Sequence, residues 1–265
     1  MHIKFNKDFR VFKKDDEIDI PIKPFTINWI VGDNRSGKST VLKLLRKHND
    51  SIKDELNRLR DGLYTQDHDI ESTDDIAQLD GIDHYDMMFF LDAINDDPTS
   101  INNAGSAGAF VGYGGYEASK MSKGQKAASM LGQFITLFKK ALPQEEIDKW
   151  FEHANKAETI DQIEKCSIGL MCFDEIDEGM DLSAQMMFLR ILHNIMTSYG
   201  VDIIVVTHSL MLPILDGSDK VFDMKTRSEV SVCDYMQRLT GKKITLKVED
   251  AKEPVKKDKK CTSKK

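Results

Sequence analysis

The sequence predicts an α/β domain with a mixed, mainly parallel core sheet and a helical lobe. Three mostly apolar runs, at 26–31, 168–173 and 201–206, have the composition of strands that are covered on both faces. A helical pattern follows the first run over 38–48, and a strongly apolar helix separates the other two over 182–199. Buried strands joined by helices are the pattern of the α/β class.

The flanking elements are shorter. Alternating residues predict strands at 2–6 and 17–22, with 10–12 as an extension of the first. We expect one domain over 1–247, with its helical lobe at about 99–166, and a disordered lysine-rich tail over 248–265. The other predicted strands are 86–91, 220–224 and 228–232, the other helices are 51–60, 122–141, 144–154, 157–165, 209–215 and 233–239, and 93–118 is predicted as a loop.

Length and composition indicate a globular chain. Its 265 residues, 40% of them hydrophobic, are enough to bury a sizeable core. No apolar run reaches the ~18 residues of a membrane span, and the strand-like start lacks the apolar centre of a signal peptide. The four cysteines form no C-x-x-C pair, so neither a zinc site nor a disulfide framework is suggested. We therefore expect a cytoplasmic protein.

The charge is unevenly distributed along the chain. The net charge is −7, but residues 252–265 carry seven Lys and two acids, so the other 251 residues sum to −12. We expect the tail to contact nucleic acid through its phosphates, with a merely solvated tail as the alternative. Residues 66–97 hold eleven Asp or Glu and no Lys or Arg, and we expect a solvated acidic lobe there rather than a metal cage.

A phosphate-binding loop is indicated between the strand at 26–31 and the helix at 38–48. Residues 32–39 fit the pattern G-x-x-x-x-G-K-[ST], in which backbone N–H groups surround phosphates and the helix start adds its positive end. Lys38 is expected to reach the β- and γ-phosphates and the Ser39 hydroxyl to ligate Mg²⁺. The binding residues predicted from this stretch are Gly32, Asp33, Asn34, Arg35, Ser36, Gly37, Lys38, Ser39 and Thr40.

Two carboxylates end the strand at 168–173. Asp174 can hold Mg²⁺, directly or through water. Glu175, the next residue, can polarise a water for attack on a γ-phosphate. A pair of acids that merely ends a strand is the alternative, since such strand ends are common in α/β folds.

A second anion site is indicated at 121–125, Met-Ser-Lys-Gly-Gln, where a helix begins. The Ser122 side chain and the Gly124 N–H can bind an anion there, although Ser122 also suits an ordinary helix cap. Further along the chain, His208 follows the apolar strand at 201–206 and lies 34 residues beyond Asp174.

These motifs, in this order, resemble those of the ABC ATPase superfamily over about residues 1–240. The resemblance implies that ATP and Mg²⁺ are sandwiched between two subunits, in a homodimer or a heteromer. It implies that Ser122, Gly124 and Gln125 form the signature offered to the other subunit's phosphates. It also implies that Asp181 lies in the loop that contacts the partner, and that His208 touches the γ-phosphate.

The nearest branch of the superfamily is predicted from the opening residues. Residues 3–12 look like the first hairpin of the soluble SMC, RecF and RecN families, and the layout also resembles small predicted ATPases of bacteria and phages. This implies an ATP-driven switch in DNA repair, replication or phage–host processes. The alternatives are a nucleotide-binding subunit of a membrane transporter and an ATP sensor with little turnover. Arg35 departs from the pattern, since many relatives have Gly there, and we expect it to cost backbone freedom or to add a charge near the nucleotide.

Overall fold

The computed structural model describes residues 1–52, 75–85, 87–92, 169–177 and 179–242, and isolated helical positions between 131 and 156. The described strands are β1 (His2–Phe5), β2 (Glu17–Asp19), β3 (Ile27–Val31), β4 (Ala77–Asp80), β5 (Met87–Asp92), β6 (Gly169–Asp174), β7 (Val201–Thr207), β8 (Lys220–Asp223) and β9 (Ser228–Ser231). The described helices with full bounds are α1 (Lys38–Ile52), α2 (Leu182–Tyr199), α3 (Met211–Asp216) and α4 (Val232–Thr240).

The larger sheet has six strands in the order β5-β6-β7-β3-β8-β9. Its neighbouring strands are parallel except for β8 and β9, which confirms the expected mixed, mainly parallel sheet. Every residue of β3, β6 and β7 is buried, as their apolar composition predicts. Because parallel strands end at one edge of a sheet, Val31 pairs with Thr207 there, and Asp174 with Val206.

Helix α1 and a smaller antiparallel sheet, of order β2-β1-β4, share the buried cluster on one face of the larger sheet. Ile3 and Phe5 of β1 belong to this cluster together with Leu44 and Leu45 of α1. Full burial of each such side chain contributes roughly 1.5–3 kcal/mol relative to exposure. Since α1 begins at Lys38, this packing fixes the end of the predicted phosphate loop.

The acidic stretch at 66–97 contains more structure than the sequence predicts. Residues 77–80 form β4 and pair with β1, and the apolar Ala77 and Leu79 are buried while Gln78 and Asp80 are exposed. The apolar–polar alternation of β4 covers only four residues and is a weak sequence signal for a strand. Its partner, β1, lies more than 70 residues away in the chain. The prediction of a solvated acidic lobe is therefore wrong for this part of the stretch.

Helix α2 belongs to the cluster on the opposite face. Phe188, Leu192 and Ile195 are buried there together with Trp29 of β3. The helix begins after Asp181, whose Oδ1 accepts a hydrogen bond from the backbone N of Ala184 at 2.8 Å. It ends at Gly200, which adopts the left-handed conformation with φ 60°. The predicted bounds of 182–199 are confirmed.

The chain at 10–12 does not extend β1, so that prediction is wrong. It turns back instead, and Phe9 and Phe12 form an isolated bridge with each other. The reason is a tertiary contact: the Phe12 ring stacks on Phe5, with ring centroids 4.3 Å apart, and is 2% exposed. This turn places residues 11 and 12 against the phosphate loop.

Several predicted elements lie partly or wholly outside the described residues. The described helical positions between 131 and 152 lie within the predicted helices at 122–141 and 144–154, whereas Lys156 is helical and lies between the predicted helices 144–154 and 157–165. The rest of the predicted lobe and the lysine-rich tail fall outside the described part of the chain. Helix α1 ends at Ile52, and the remainder of the predicted 51–60 helix also lies outside the described residues. None of the helices that the structure describes is long and apolar enough to cross a membrane.

Candidate active site

The loop between β3 and α1 contains a tight turn. Ser36 N donates to the carbonyl of Asp33 at 3.2 Å, and Gly37 adopts φ 97°. A Cβ on Gly37 would lie 2.3 Å from Cζ of Phe12, so only glycine fits. Arg35 adopts φ 66°, a left-handed conformation that costs a non-glycine residue about 1–2 kcal/mol. The sequence predicts a cost in backbone freedom or an added charge at Arg35, and its left-handed φ agrees with the first of these.

The side chains of this loop differ in their surroundings. Asp33, Asn34 and Arg35 are exposed, and Asp33 pairs with Lys225 at 3.5 Å. Within the described part of the chain, the buried Ser36 hydroxyl has no hydrogen-bond partner. A hydroxyl in this position is available to a phosphate oxygen. Thr40, by contrast, is buried on α1, and its hydroxyl accepts from Arg10 Nη1 at 3.4 Å.

Lys38 is only 3% exposed and lies where β3, β6 and β7 end. Its ammonium donates to the carbonyls of Gly32, at 2.9 Å, and Asp33, at 3.0 Å. Burial lowers the pKa of Lys38, and the nearby carboxylates of Glu175 and Asp174 act in the opposite direction. A buried ammonium of this kind is suited to binding a strongly negative ligand.

His208 connects Lys38 to Glu175. Its Nδ1 and Nε2 lie 3.2 and 3.3 Å from the Lys38 ammonium, and Nδ1 lies 3.1 Å from the carbonyl of Gly32. Its Nε2 lies 2.6 Å from Oε1 of Glu175. The sequence predicts these three side chains as parts of one site, and the fold brings them into contact although 170 residues separate Lys38 from His208.

Glu175 is held by the backbone at the end of β6. Its N–H donates to the carbonyl of Val206 at 2.9 Å, which extends the parallel pairing of β6 and β7 by one residue. It adopts φ 51°, and of the six non-glycine residues with positive φ among the described residues, Arg35 and Glu175 are the two in the candidate site. Strained conformations of this kind are concentrated at functional sites.

The described residues provide oxygen ligands suited to Mg²⁺. Asp174 is the last residue of β6 and is 6% exposed, and Ser39 is half-buried in the first turn of α1. A carboxylate and a hydroxyl are hard oxygen donors, and Mg²⁺ is usually bound by one or two carboxylates together with substrate phosphates. The described part of the chain has no cluster of three or more Asp, Glu, His or Cys that could hold a metal by itself. The residues therefore fit a magnesium ion that arrives with a phosphate ligand.

Sequence reasoning missed a buried polar pair beside His208. Thr207 donates from Oγ1 to Oδ2 of Asp177 at 2.8 Å, and the same Oγ1 accepts from the backbone N of Ser209 at 2.8 Å. Burial raises the pKa of Asp177, and the hydrogen bond from Thr207 opposes this. In the sequence, Asp177 lies three residues beyond Asp174 and Thr207 ends an apolar strand. Neither position indicates a hydrogen bond to the other.

Four predicted site residues are not brought to Lys38 by the described structure. Ser122, Gly124 and Gln125 lie outside the described residues. Asp181 is described and caps α2, at the end of the loop that begins with Asp174 and Glu175. Its predicted contact with a partner subunit stays a prediction.

No protein-family model matches the sequence, and no curated protein is significantly similar to it. Some solved structures are remotely similar. A metal-chelate type ABC transporter in an inward-facing conformation is 14% identical, with a TM-score of 0.43 over 86% of this chain and 81% of that one. The dimeric ATP-binding cassette MJ0796, solved in a post-hydrolysis state with ADP and Pi, is 13% identical, with a TM-score of 0.40 over 88% and 99%.

A third similar structure is cbiO1 from Clostridium perfringens, part of the ABC transporter complex cbiONQ. It is 13% identical, with a TM-score of 0.40 over 90% of this chain and 91% of that one. All three are components of ABC transporters, whereas the expected nearness to SMC, RecF and RecN proteins stays a prediction. Likenesses this remote assign no function, which has to be argued from the geometry around Lys38.

Proposed function

We propose that this protein binds ATP with Mg²⁺ at residues 32–40 and hydrolyses it. One observation carries the proposal: the buried ammonium of Lys38 contacts His208, which contacts Glu175, where three parallel strands end. Phosphoryl transfer requires a cation for the phosphates and a carboxylate that orients the attacking water. Both groups are present here within contact distance of one imidazole.

Binding is assigned to the loop and the first turn of α1. Backbone N–H groups of residues 32–39 and the Lys38 ammonium bind the phosphates, and the buried Ser36 hydroxyl adds a donor. Ser39 and Asp174 hold the magnesium ion, which when bound neutralises negative charge on the phosphates. Gly32, Asp33, Asn34, Arg35, Gly37 and Thr40 complete the set that lines or shapes this loop.

Catalysis is assigned to Glu175 and His208. Glu175 polarises the water that attacks the γ-phosphorus and takes up its proton, while the bond to the β–γ bridging oxygen breaks and ADP leaves. His208 donates to the γ-phosphate and keeps Glu175 close to it. Nε2 of His208 lies 2.6 Å from Oε1 of Glu175, which supports a shared role for these two side chains.

The site is proposed to be completed by a second subunit. Ser122, Gly124 and Gln125 of one copy then meet the phosphates bound to Lys38 of the other, and Asp181 contacts the partner. A homodimer and a heteromer both satisfy this proposal. The biological process stays a prediction, whether a DNA or phage–host switch with a nucleic-acid-binding tail, or a transporter subunit.

The Glu175→Gln variant tests the assignment of the base. We expect ATP binding to be retained and turnover to fall by roughly 10²- to 10⁴-fold, the usual contribution of a general base. Glu17→Gln on β2 is the matched control. Glu17 is exposed and forms an ion pair with Lys4 at 3.0 Å, and it lies in another sheet than the strand β6 that Glu175 follows. Turnover of Glu175→Gln within a few-fold of the unmodified protein would rule Glu175 out.

The Lys38→Ala variant tests the phosphate site. Loss of the buried ammonium is expected to abolish binding of labelled ATP, because the main cationic partner of the phosphates is removed. The exposed Lys220→Ala, at the start of β8, is the matched control and is expected to bind normally. Unchanged affinity in Lys38→Ala would place the nucleotide elsewhere.

A further inference from the structure

A buried hydrogen-bonded link lies directly behind His208. It consists of the Asp177 carboxylate, the Thr207 hydroxyl and the backbone N–H of Ser209, with both hydrogen bonds at 2.8 Å. Asp177 is 8% exposed and Thr207 is fully buried. Neither side chain has a place in the phosphate, metal or water-activating roles assigned above.

The link fixes the backbone on both sides of His208. Thr207 is the last residue of β7, and its hydroxyl accepts from the N–H two residues further on, so the turn that carries His208 is closed by a side chain. The Thr207 hydroxyl lies 2.8 Å from Oδ2 of Asp177 and 3.4 Å from the carbonyl of Ser209, so the carboxylate is its nearer acceptor. Donation to Asp177 leaves an oxygen lone pair of the same hydroxyl for the N–H of Ser209. One carboxylate thus sets the direction of both hydrogen bonds.

This arrangement carries a cost to folding stability that a well-packed apolar pair would avoid. Burial raises the pKa of Asp177, which means that the folded protein disfavours its charged form. Buried polar networks that are satisfied specify one geometry more sharply than apolar contacts do. Such a network beside a catalytic imidazole is best explained by the position that it imposes.

We infer that Asp177 and Thr207 are positioning residues that hold His208 against Lys38 and Glu175. The inference deepens the proposed function and rests on it for the catalytic consequence. Asp177 also lies in the loop between Glu175 and Asp181, and its backbone carbonyl accepts from Met180 N at 3.1 Å. Two hydrogen bonds therefore link the backbone N–H of Met180, which precedes Asp181, to Thr207, which precedes His208.

The substitution Thr207→Val tests the inference, because it removes the hydroxyl while keeping the shape of the side chain. We expect kcat for ATP to fall by about 10- to 100-fold, since displacing a catalytic group by ~1 Å costs on the order of 100-fold. ATP affinity should stay within about 3-fold, because Lys38 and the loop are untouched. Thr207→Ser restores the hydroxyl and should recover most of the lost kcat.

A second readout does not depend on hydrolysis. The His208 imidazole resonances, assigned by their loss in His208→Gln, should move in Thr207→Val and return in Thr207→Ser. The control is Thr197→Val on α2, an exposed threonine whose hydroxyl donates to the carbonyl of His193 at 2.8 Å. Asp177→Ala should reproduce the shift of Thr207→Val, and the double variant should lose no more kcat than either single one.

The outcomes separate the two proposals. If the unmodified protein does not hydrolyse ATP, the proposed function fails, and the His208 resonances alone decide the positioning role. If His208 resonances in Thr207→Val match those of the unmodified protein, the positioning role is overturned whether or not ATP is hydrolysed. Equal losses of kcat in Thr207→Ser and Thr207→Val, or additive losses in the double variant, would also overturn it.

Discussion

The contact between Gly37 and Phe12 allows a quantitative prediction about the phosphate loop. In Gly37→Ala the new Cβ would lie 2.3 Å from Cζ and 2.8 Å from Cε2 of Phe12, and 2.8 Å from Cγ2 of Val11. The Phe12 ring cannot move aside easily, because it is stacked on Phe5 and is 2% exposed. Either the ring or the loop must therefore shift.

Two terms contribute to the cost of this substitution. A non-glycine residue at φ 97° costs about 1–2 kcal/mol, as other left-handed positions do. Overpacking of a buried contact adds about 1–3 kcal/mol. The free energy of unfolding is thus expected to fall by about 2–5 kcal/mol, a large part of the 5–15 kcal/mol typical of a folded domain.

Gly217→Ala is a matched control for the backbone term. Gly217 adopts φ 73°, and a Cβ there would have no neighbour within 4 Å, so only the cost of about 1–2 kcal/mol applies. Urea unfolding, with the midpoint and slope fitted separately, measures both variants. ATP affinity should fall in Gly37→Ala and remain normal in Gly217→Ala.

A double variant isolates the contact term. In Phe12→Leu/Gly37→Ala the smaller side chain leaves room for the new methyl group, so the combined loss of stability should be less than the sum of the single losses. Equal losses of unfolding free energy in Gly37→Ala and Gly217→Ala would refute the packing argument. Simple additivity in the double variant would refute it as well.

Three further outcomes are expected. Arg35→Gly relieves the left-handed φ of 66° and should raise the unfolding free energy by about 1 kcal/mol, measured by urea unfolding, and a lower value would refute the strain. Burial opposes ionisation of Asp223, but hydrogen bonds, above all the one from Arg238, hold its pKa below the usual value. The ionised carboxylate therefore stabilises the fold above about pH 4, and this stability is lost as the pH falls further. Unfolding measured against pH should accordingly show a flatter acid limb in Asp223→Asn. Ser122→Arg should bind ATP but remain monomeric in light scattering under conditions where Glu175→Gln dimerises, and dimers of Ser122→Arg would count against the composite site.

The central strands and α2 could be predicted because their signals are local. Strands covered on both faces need continuous apolar runs, and β3, β6 and β7 have them. Helix α2 combines an apolar stripe with a capping Asp181 and a terminal Gly200, which together fix both of its ends. These features depend on neighbouring residues alone.

The elements that were missed depend on distant partners. Strand β4 has four residues with a single alternation and is defined by its pairing with β1. Phe12 leaves the expected strand because its ring is buried between Phe5 and the loop at Gly37. Tertiary packing of this kind overrides local β propensity, so the sequence around 10–12 gave no means of predicting the turn.

The candidate site shows the same division. Lys38, Glu175 and His208 follow recognisable motifs, and their mutual contacts agree with the prediction. Asp177 and Thr207 are not among the site residues that the motifs predict, and a hydrogen bond between residues 30 apart leaves no local pattern. Groups that are proposed to touch the ligand are thus easier to find from sequence than the groups that orient them.

The contacts of Lys38 explain why the orientation of His208 matters to the proposed reaction. An ammonium has three N–H donors, and the carbonyls of Gly32 and Asp33 accept at 2.9 and 3.0 Å, whereas the imidazole nitrogens lie at 3.2 and 3.3 Å. A phosphate oxygen that approaches Lys38 competes with the longest of these contacts, which is the one to His208. Because His208 also contacts Glu175 at 2.6 Å, its displacement would change the environment of the proposed base in the same step. The cation and the proposed base therefore contact one imidazole, and the residues that fix its backbone bear on the proposed water activation.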